Sequence, residues 1–175
     1  FDQTIKEWIE IIDDVVDQYL FISQYSMMEF QNYVSKDISS ISEVIELGTS
    51  PVASSTGNHQ TQKQAPYILS VGTLEPRKNH ILLYYTWKNL LLQGHTPPKL
   101  IIIGSEGWMS STIASLLRDD PELKAFISIK HKVSDSELDT YYRNCMFTIF
   151  PSHYEGWGLP ISESISYGKF CIASN

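Results

Sequence analysis

Residues 151–168 read PSHYEGWGLPISESISYG, a glycine-rich stretch that indicates the class of fold. An apolar run at residues 146–150 comes directly before it, and Pro160 is typical of the first position of a helix. We therefore expect a strand, a glycine-rich loop and a helix that ends before the last glycine of the stretch. Gly156 and Gly158 permit a tight turn and a close approach of a ligand to the backbone. The start of the helix offers N–H groups and the positive end of its dipole to an anion.

Two carboxylates flank this glycine-rich loop. Glu155 lies directly before the glycines, and Glu163 lies about one turn into the predicted helix. Both side chains could border a single ligand, one near its reacting end and the other near a polar tail. The spacing indicates a long and partly anionic ligand.

Three stretches of the chain resemble, in the same order, the motifs of retaining glycosyltransferases of family 4, which have the GT-B fold. Glu155 and Glu163, with seven residues between them around Gly-Trp-Gly-Leu-Pro, resemble the Glu-x7-Glu signature of that family. Residues 70–79 (SVGTLEPRKN) resemble its phosphate-binding segment. Residues 133–138 (VSDSEL) resemble the segment before its nucleotide-contacting helix. The resemblance covers residues 66–175, and the EPRKN and EGWGLP motifs are similar to those of a mannosyltransferase-like branch.

From residue 66 onward the sequence alternates apolar strands with helices. Strands are predicted at residues 67–71, 99–103, 126–129 and 146–150. Helices are predicted at 79–93, with Asn79 as the cap, at 111–118 and after a capping box of Ser134 and Glu137. This pattern predicts an α/β fold, a Rossmann-like parallel sheet covered by helices on both faces. The resemblance implies the C-terminal, donor-binding domain of a GT-B fold, incomplete at both ends. The loops after the strands should converge on one rim of the sheet: residues 72–78, 104–108, 130–134 and 151–159.

The first 48 residues predict an amphipathic helix at 1–16, a strand at 19–22, a helix cap at Ser23 or Ser26, a helix at 27–34 and a strand at 41–47. The inward stripe of the first helix is predicted to consist of Ile5, Trp8, Ile9, Ile12 and Val16. A lipid-facing helix pair is the alternative, but the acidic polar face favours packing against a domain. The resemblance identifies residues 1–48 as the closing segment of an N-terminal acceptor domain whose earlier strands are missing.

Residues 49–65 are rich in Ser, Thr, Gln and Gly and predict a linker, because they cannot bury enough apolar surface to offset their ordering entropy. The remaining residues, 66–175, are then the nucleotide-sugar-binding domain, truncated at its C-terminal end.

The composition restricts the class of partner. The 175-residue chain has a net charge of −7 and a pI of about 5.1, which argues against binding to nucleic acid or to an anionic membrane surface. Cys145 and Cys171 lack metal-ligand spacing and are expected to be reduced and buried. We find no signal peptide and no apolar run of the ~18 residues that span a bilayer. We therefore expect a cytoplasmic protein, with peripheral association of the full-length enzyme at the inner face of the membrane.

Arg77 and Lys78 are the predicted diphosphate-binding cations, since charge-assisted hydrogen bonds would stabilise the charge on a leaving nucleotide. The alternative is a solvated basic pair, but positive charge at a helix start opposes the helix dipole, which favours a functional role. Many family members carry Arg directly after the glycine, where this chain has Thr73. Arg77 is expected to supply that charge.

The resemblance implies the remaining roles. Glu155 is the catalytic residue, contacting sugar hydroxyls near the anomeric centre and helping to stabilise an oxocarbenium-like transition state, while Glu163 accepts hydrogen bonds from the ribose. The other predicted donor-binding residues are Gly72, Thr73, Val133, Gly156, Trp157, Gly158 and Leu159. Trp157 could pack on the sugar or fill the domain interior, and both possibilities stay open.

No metal and no cofactor are expected, because the chain lacks the Asp-x-Asp motif of metal-dependent glycosyltransferases. It also lacks a Gly-x-Gly-x-x-Gly fingerprint and a phosphate-binding loop ending in Gly-Lys-Ser or Gly-Lys-Thr. The donor implied first is GDP-mannose, the second a UDP-sugar, and the acceptor a saccharide or a lipid-linked saccharide. The transfer would proceed with retention of configuration. The alternative is a nucleotide-sugar binding module that is inactive without a missing N-terminal domain or a partner subunit.

Overall fold

The computed structural model describes residues 3–34, 36–48 and 65–174 of the chain. The chain separates into two compact units, Phe1–Gly48 and Thr49–Asn175. The predicted linker lies outside the described residues except for Ala65. Within the described part, no helix is long and apolar enough to cross a membrane.

The described residues form α-helices and parallel β-strands. The helices are α1 (Gln3–Val15), α2 (Gln24–Gln31), α3 (His80–Leu92), α4 (Ser111–Asp119), α5 (Asp135–Asn144) and α6 (Leu159–Ser166). The strands are β1 (Tyr19–Phe21), β2 (Ser42–Val44), β3 (Tyr67–Val71), β4 (Lys99–Ile103), β5 (Ile127–Lys130), β6 (Thr148–Phe150) and β7 (Cys171–Ala173). Short 3-10 turns at Ser39–Ile41 and Pro76–Lys78 precede β2 and α3.

The first unit holds α1 and α2 beside the parallel pair β1 and β2. Its core is formed by Ile9, Tyr19, Val34 and Ile38, with the ring of Phe30 5.1 Å from that of Tyr19. Burial of these apolar side chains, at about 1.5–3 kcal/mol each, holds the unit together.

The structure corrects three predictions for this unit. Trp8 is 61% exposed and does not belong to the inward stripe of α1. That stripe consists of Ile9, with Ile12 and Val16 packed against the same apolar cluster. The second helix starts at Gln24 because the Ser23 hydroxyl accepts a hydrogen bond from the N–H of Ser26 and so caps it earlier. The second strand covers only Ser42–Val44, and a 3-10 turn takes Ile41, the first residue predicted for it. The side chain of Ile5 lies outside what the structure describes.

The second unit is built on a five-stranded sheet in the order β5-β4-β3-β6-β7. All of its strands are parallel, with β3 central: Tyr67 pairs with Lys99 on one side and Leu69 pairs with Thr148 on the other. Parallel strands end at the same edge, so the loops after β3, β4, β5 and β6 lie along one rim.

Alternate residues of the strands enter two separate apolar clusters. On one face, α3 and α4 complete a cluster that includes Ile68, Leu100, Ile102, Leu83 and Leu117. On the other, α5 completes a cluster of Tyr67, Leu69, Ile103, Tyr142 and Cys145. Helix α6 packs beside it against β6, where the buried hydroxyls of Thr148 and Ser164 are 2.7 Å apart. The predicted α/β fold, a parallel sheet with helices on both faces, is confirmed.

Several element boundaries differ from the prediction. Strand β6 begins at Thr148, two residues late, and β5 is shifted by one residue. Cys171 is only half-buried because β7 is an edge strand, whereas Cys145 is buried as expected. Burial raises the pKa of the Cys145 thiol to about 11, which makes it unreactive.

Candidate nucleotide-sugar site

The loops after β3 and β4 are joined by backbone hydrogen bonds that continue the strand pairing into the rim. The N–H of Leu74 donates to the carbonyl of Ser105 and the N–H of Gly107 donates to the carbonyl of Leu74, both at 2.8 Å. A bridge between Leu74 and Glu106 lies within this segment. The residues after Gly72 are therefore held by the neighbouring loop.

Gly104 makes this close approach possible. A Cβ atom at this position would lie 2.0 Å from the carbonyl oxygen of Gly72, so no larger residue fits without moving the backbone. The next loop joins at the same point, because the N–H of Gly104 donates to the carbonyl of Lys130 and the Nδ1 atom of His131 lies 2.7 Å from the Gly104 carbonyl.

The loop after β6 closes over the loop after β3. The N–H of His153 donates to the carbonyl of Arg77 at 2.9 Å, and the guanidinium of Arg77 donates to the carbonyl of Tyr154 at 3.3 Å. The same guanidinium lies 5.8 Å from the centre of the Tyr154 ring. Arg77 is thus held by backbone and side-chain contacts from a loop that follows a different strand.

An ion cluster forms where these two loops meet. Glu155 accepts from the Arg77 guanidinium through one carboxylate oxygen and from the Lys78 ammonium through the other, each at 2.6 Å. Arg77 also donates to Glu75 at 2.6 Å. The predicted catalytic carboxylate and both predicted diphosphate-binding cations therefore lie together at the rim.

The Lys78 side chain is largely buried beside this cluster. The side chain is 11% exposed, its ammonium lies 4.9 Å from the centre of the Phe150 ring, and its methylene carbons cover Gly72. Burial would raise the pKa of the Glu155 carboxyl, but hydrogen bonds from Lys78 and Arg77 outweigh it and hold that pKa below its usual value. Glu155 is consequently ionised at neutral pH.

The helix after the glycine-rich loop begins at Leu159, which places Pro160 second rather than first. Its N-cap is Gly158 with a φ of 83°, a left-handed conformation that favours glycine. The indole Nε1 of Trp157 is buried and has no hydrogen-bond partner among the described residues. That N–H is a donor directed away from water, and a ligand or an ordered water would satisfy it.

The caps of α3 and α5 differ in their hydrogen bonds. Asn79 lies at the N-cap of α3, but its side chain makes no capping hydrogen bond, and its φ of 54° serves instead to end the preceding 3-10 turn. In contrast, Ser134 and Glu137 form the expected capping box, with bonds in both directions, and fix the start of α5 directly after Val133. Val133 itself packs against the α5 side of the sheet.

Glu163 is half-buried and contacts a residue that sequence reasoning did not link to it. The hydroxyl of Tyr142, on α5, donates to its Oε2 atom at 2.6 Å. Helical spacing places Tyr142 on the inward face of α5, but no local pattern shows which side chain its hydroxyl meets.

A cavity of about 360 Å³ adjoins the ion cluster. It is lined by Glu75, Pro76, Arg77, Trp108, His153 and Tyr154. A second cavity, about 380 Å³, is lined mainly by residues at the opposite ends of the strands, among them Tyr67, Lys99 and Lys124. Among the described residues, no group of three or more His, Cys, Asp or Glu side chains is arranged to hold a metal ion.

Comparison with known proteins shows which family includes the residues of this rim. The model of the family described as "Glycosyl transferases group 1" matches residues 52–175. The chain belongs to this family. The predicted resemblance is confirmed at that level, and the family's match includes every residue of the ion cluster and of the glycine-rich loop.

Two relatives of this glycosyl transferases group 1 chain are named as mannosyltransferases. The serotype-specific mannosyltransferase WbdA of Escherichia coli is 34% identical over 104 residues, which are 59% of this chain and 13% of that protein. The O-antigen chain mannosyltransferase B of Escherichia coli is 33% identical over 109 residues, which are 62% of this chain and 28% of that protein. The matched region is less than a third of either relative.

Solved structures of GT-B glycosyltransferases share the fold. HepE of Anabaena, in complex with UDP and glucose, superposes with a TM-score of 0.78 at 18% identity over 99% of this chain and 48% of HepE. Sucrose-phosphate synthase of Thermosynechococcus elongatus gives a TM-score of 0.77 at 22% identity over 98% of this chain and 44% of that enzyme. The glycosyl transferases group 1 chain thus spans about half of these proteins.

Proposed function

We propose that this chain is the donor-binding part of a retaining mannosyltransferase. It would bind a nucleoside diphosphate sugar at the rim and transfer the hexose to a saccharide or lipid-linked acceptor. GDP-mannose is the first candidate donor and a UDP-sugar the second. The mannosyltransferase relatives support mannose as the transferred sugar. The UDP bound to HepE supports a UDP-sugar as the donor.

The observation that carries this proposal is the convergence of Arg77, Lys78 and Glu155 beside a glycine-rich loop and a helix start. Fixed cations in a partly buried site stabilise charge that develops on a leaving diphosphate, without reorganisation during the reaction. We propose that Lys78 and Arg77 bind the diphosphate and that Glu155 contacts the sugar near its anomeric centre. Glu163, one helical turn into α6, would accept from the ribose.

The division of the chain is part of the same proposal. Residues 1–48 would close an acceptor domain, residues 49–65 would link it to the donor domain, and residues 66–175 would hold the nucleotide sugar. A cytoplasmic location, at the inner face of the membrane, fits the use of a nucleotide sugar and is proposed on that basis.

Calorimetric titration with GDP, UDP and ADP, with and without magnesium, tests the donor site. We expect one nucleotide to bind, with the same affinity in both conditions. Lys78→Met should weaken it about tenfold or more, because a charge-assisted hydrogen bond is lost. Lys124→Met removes a lysine that lines the second cavity, away from the rim, and should leave the affinity unchanged. Absence of binding, or equal loss in both variants, would contradict the proposal.

A second candidate function is a nucleotide-sugar binding module that is inactive without an N-terminal domain or a partner subunit. Transfer of labelled sugar from GDP-mannose or a UDP-sugar to a mannose oligosaccharide separates the two. Turnover by the 175-residue chain alone would exclude the module, whereas nucleotide binding without turnover would support it.

A further inference from the structure

The orientation of the Glu163 carboxylate is fixed from inside the protein. Tyr142 is fully buried and donates its hydroxyl proton to Oε2 at 2.6 Å. Among the described residues, Oε1 accepts no hydrogen bond. One oxygen of Glu163 is therefore held, and the other is left to accept from a ligand.

Tyr142 is itself held by a buried network. Its ring stacks on that of Tyr167, with ring centres 4.9 Å apart and an interplanar angle of 5°. The hydroxyl of Tyr167 donates to Oδ1 of Asp139 at 2.9 Å, and Asp139 is fully buried. Arg143 donates to the other oxygen of Asp139 at 2.8 Å. A chain of contacts thus runs from a surface cation on α5 to Glu163 on α6.

The proton of the Tyr142 hydroxyl is retained under all ordinary conditions. Burial raises the pKa of Tyr142 far above its usual value, and the nearby Glu163 carboxylate raises it further. Tyr142 is consequently a permanent donor to Glu163. A donor that never changes its state gives the carboxylate one orientation rather than several.

We propose that Tyr142 is a positioning residue for ribose recognition, holding Oε2 of Glu163 so that Oε1 faces the hydroxyls of the donor ribose. This inference rests on the proposed function, in which Glu163 accepts from the ribose. The loss of the Tyr142 hydroxyl would free the carboxylate to rotate. It would reduce the preference for a ribonucleotide without removing the charges that bind the diphosphate.

The test compares a nucleotide with its 2′-deoxy and 3′-deoxy forms by calorimetry on the 175-residue chain. GDP and its deoxy forms are used first, and UDP and its deoxy forms if GDP does not bind. We expect the unaltered chain to bind at least one deoxy form about tenfold more weakly, since a hydrogen bond to a carboxylate is lost. In Tyr142→Phe, which keeps the stacked ring, this ratio should fall to about twofold.

Two further variants separate positioning from general stability. Tyr141→Phe removes a hydroxyl from the adjacent residue, whose ring packs edge-on against Tyr67, and should keep the tenfold ratio. Tyr167→Phe removes the bond to Asp139 and should lower the ratio partway, which provides a second test if Tyr142→Phe folds poorly. Thermal melting of each variant reports folding independently of the nucleotide.

The outcomes distinguish the inference from the proposed function. A tenfold ratio that persists in folded Tyr142→Phe and Tyr167→Phe would overturn the inference and leave the donor site standing. An unaltered chain that binds neither GDP nor UDP would overturn the proposed function, and the inference with it.

Discussion

Glu155 is the residue on which the charge balance of the rim depends. Its carboxylate forms ion pairs with both Lys78 and Arg77, and Arg77 forms another ion pair with Glu75. Two cations and two carboxylates nearly cancel, so an incoming diphosphate must compete with Glu155 for the same N–H donors. The pairing gives each of the two partly buried cations a counter-ion before a diphosphate binds, whereas an unpaired buried charge would be destabilising.

The first prediction follows from that competition. In Glu155→Gln, the nucleoside diphosphate should bind about threefold more tightly, because a competing carboxylate and its repulsion are removed. Calorimetry with GDP or UDP measures the change. The matched control is Glu106→Gln on the neighbouring loop, whose carboxylate lies 3.8 Å from Arg118 and outside the ion cluster. Weaker binding to Glu155→Gln than to this control would contradict the competition.

At the scale of the elements, the loops after β3 and β4 act as one piece because their backbones are hydrogen-bonded at Leu74 and Gly107. Strand pairing thus extends beyond the last residues of β3 and β4 and carries the rim with it. The close contact of Gly104 with Gly72 is the tightest point of this extension.

The second prediction is that Gly104→Ala lowers the free energy of unfolding by about 2 kcal/mol or more. Its Cβ would lie 2.0 Å from a backbone oxygen, which cannot rotate away as a side chain would. Urea unfolding measures the loss. Gly48→Ala is the control, since no described atom lies within 4 Å of the added Cβ there, and it should change stability by less than about 0.5 kcal/mol. Equal stability of the two variants would show that the loops separate easily.

Element boundaries could be predicted where their signals are local. The capping box of Ser134 and Glu137 and the apolar runs of β3 and β4 gave helix and strand starts that the structure bears out. Asn79 is the N-cap of α3 as predicted, but its side chain makes no capping hydrogen bond. Its left-handed conformation ends the 3-10 turn before it, and residue preference at an N-cap cannot show that. Strand β6 was predicted two residues too long: Met146 and Phe147 still hydrogen-bond to Tyr67 and Leu69 of β3, but the regular strand begins only at Thr148.

At the scale of the whole molecule, sequence periodicity could predict the fold class but not the contacts across the sheet. Alternation and helix spacing assign each residue a face, and those faces follow from neighbours within a few positions. The pairing of Arg77 with Glu155 and of Tyr142 with Glu163 joins elements far apart in the chain. Such partners are set by strand order, which no local pattern encodes.

The buried His80 makes the stability of the molecule depend on pH. It is 3% exposed, and its Nδ1 atom has no hydrogen-bond partner among the described residues. Burial, with a smaller contribution from Lys78, lowers the pKa of His80 from 6.5 to about 4. The unfolded chain therefore takes up this proton more readily than the folded one between those two values.

The third prediction is that the protein loses stability through His80 as the pH falls. The contribution of neutral His80 is fully present above pH 6.5 and is lost as the pH falls towards 4, by about 3 kcal/mol in the free energy of unfolding. Urea unfolding across this range measures it, with His80→Leu as the reference because leucine carries no titrating group. If both proteins lose the same stability on acidification, His80 is not buried in its neutral form.

The central place of β3 in the sheet affects how the polypeptide acquires its structure during synthesis. One edge of β3 can pair with β4 soon after both are made, since few residues separate them, but the other edge meets β6 through Leu69 and Thr148. Long-range pairing of this kind is slow, because a large loop must close before the contact forms. The middle strand would therefore leave the ribosome with one edge unpaired, and that edge stays open to self-association until β6 emerges.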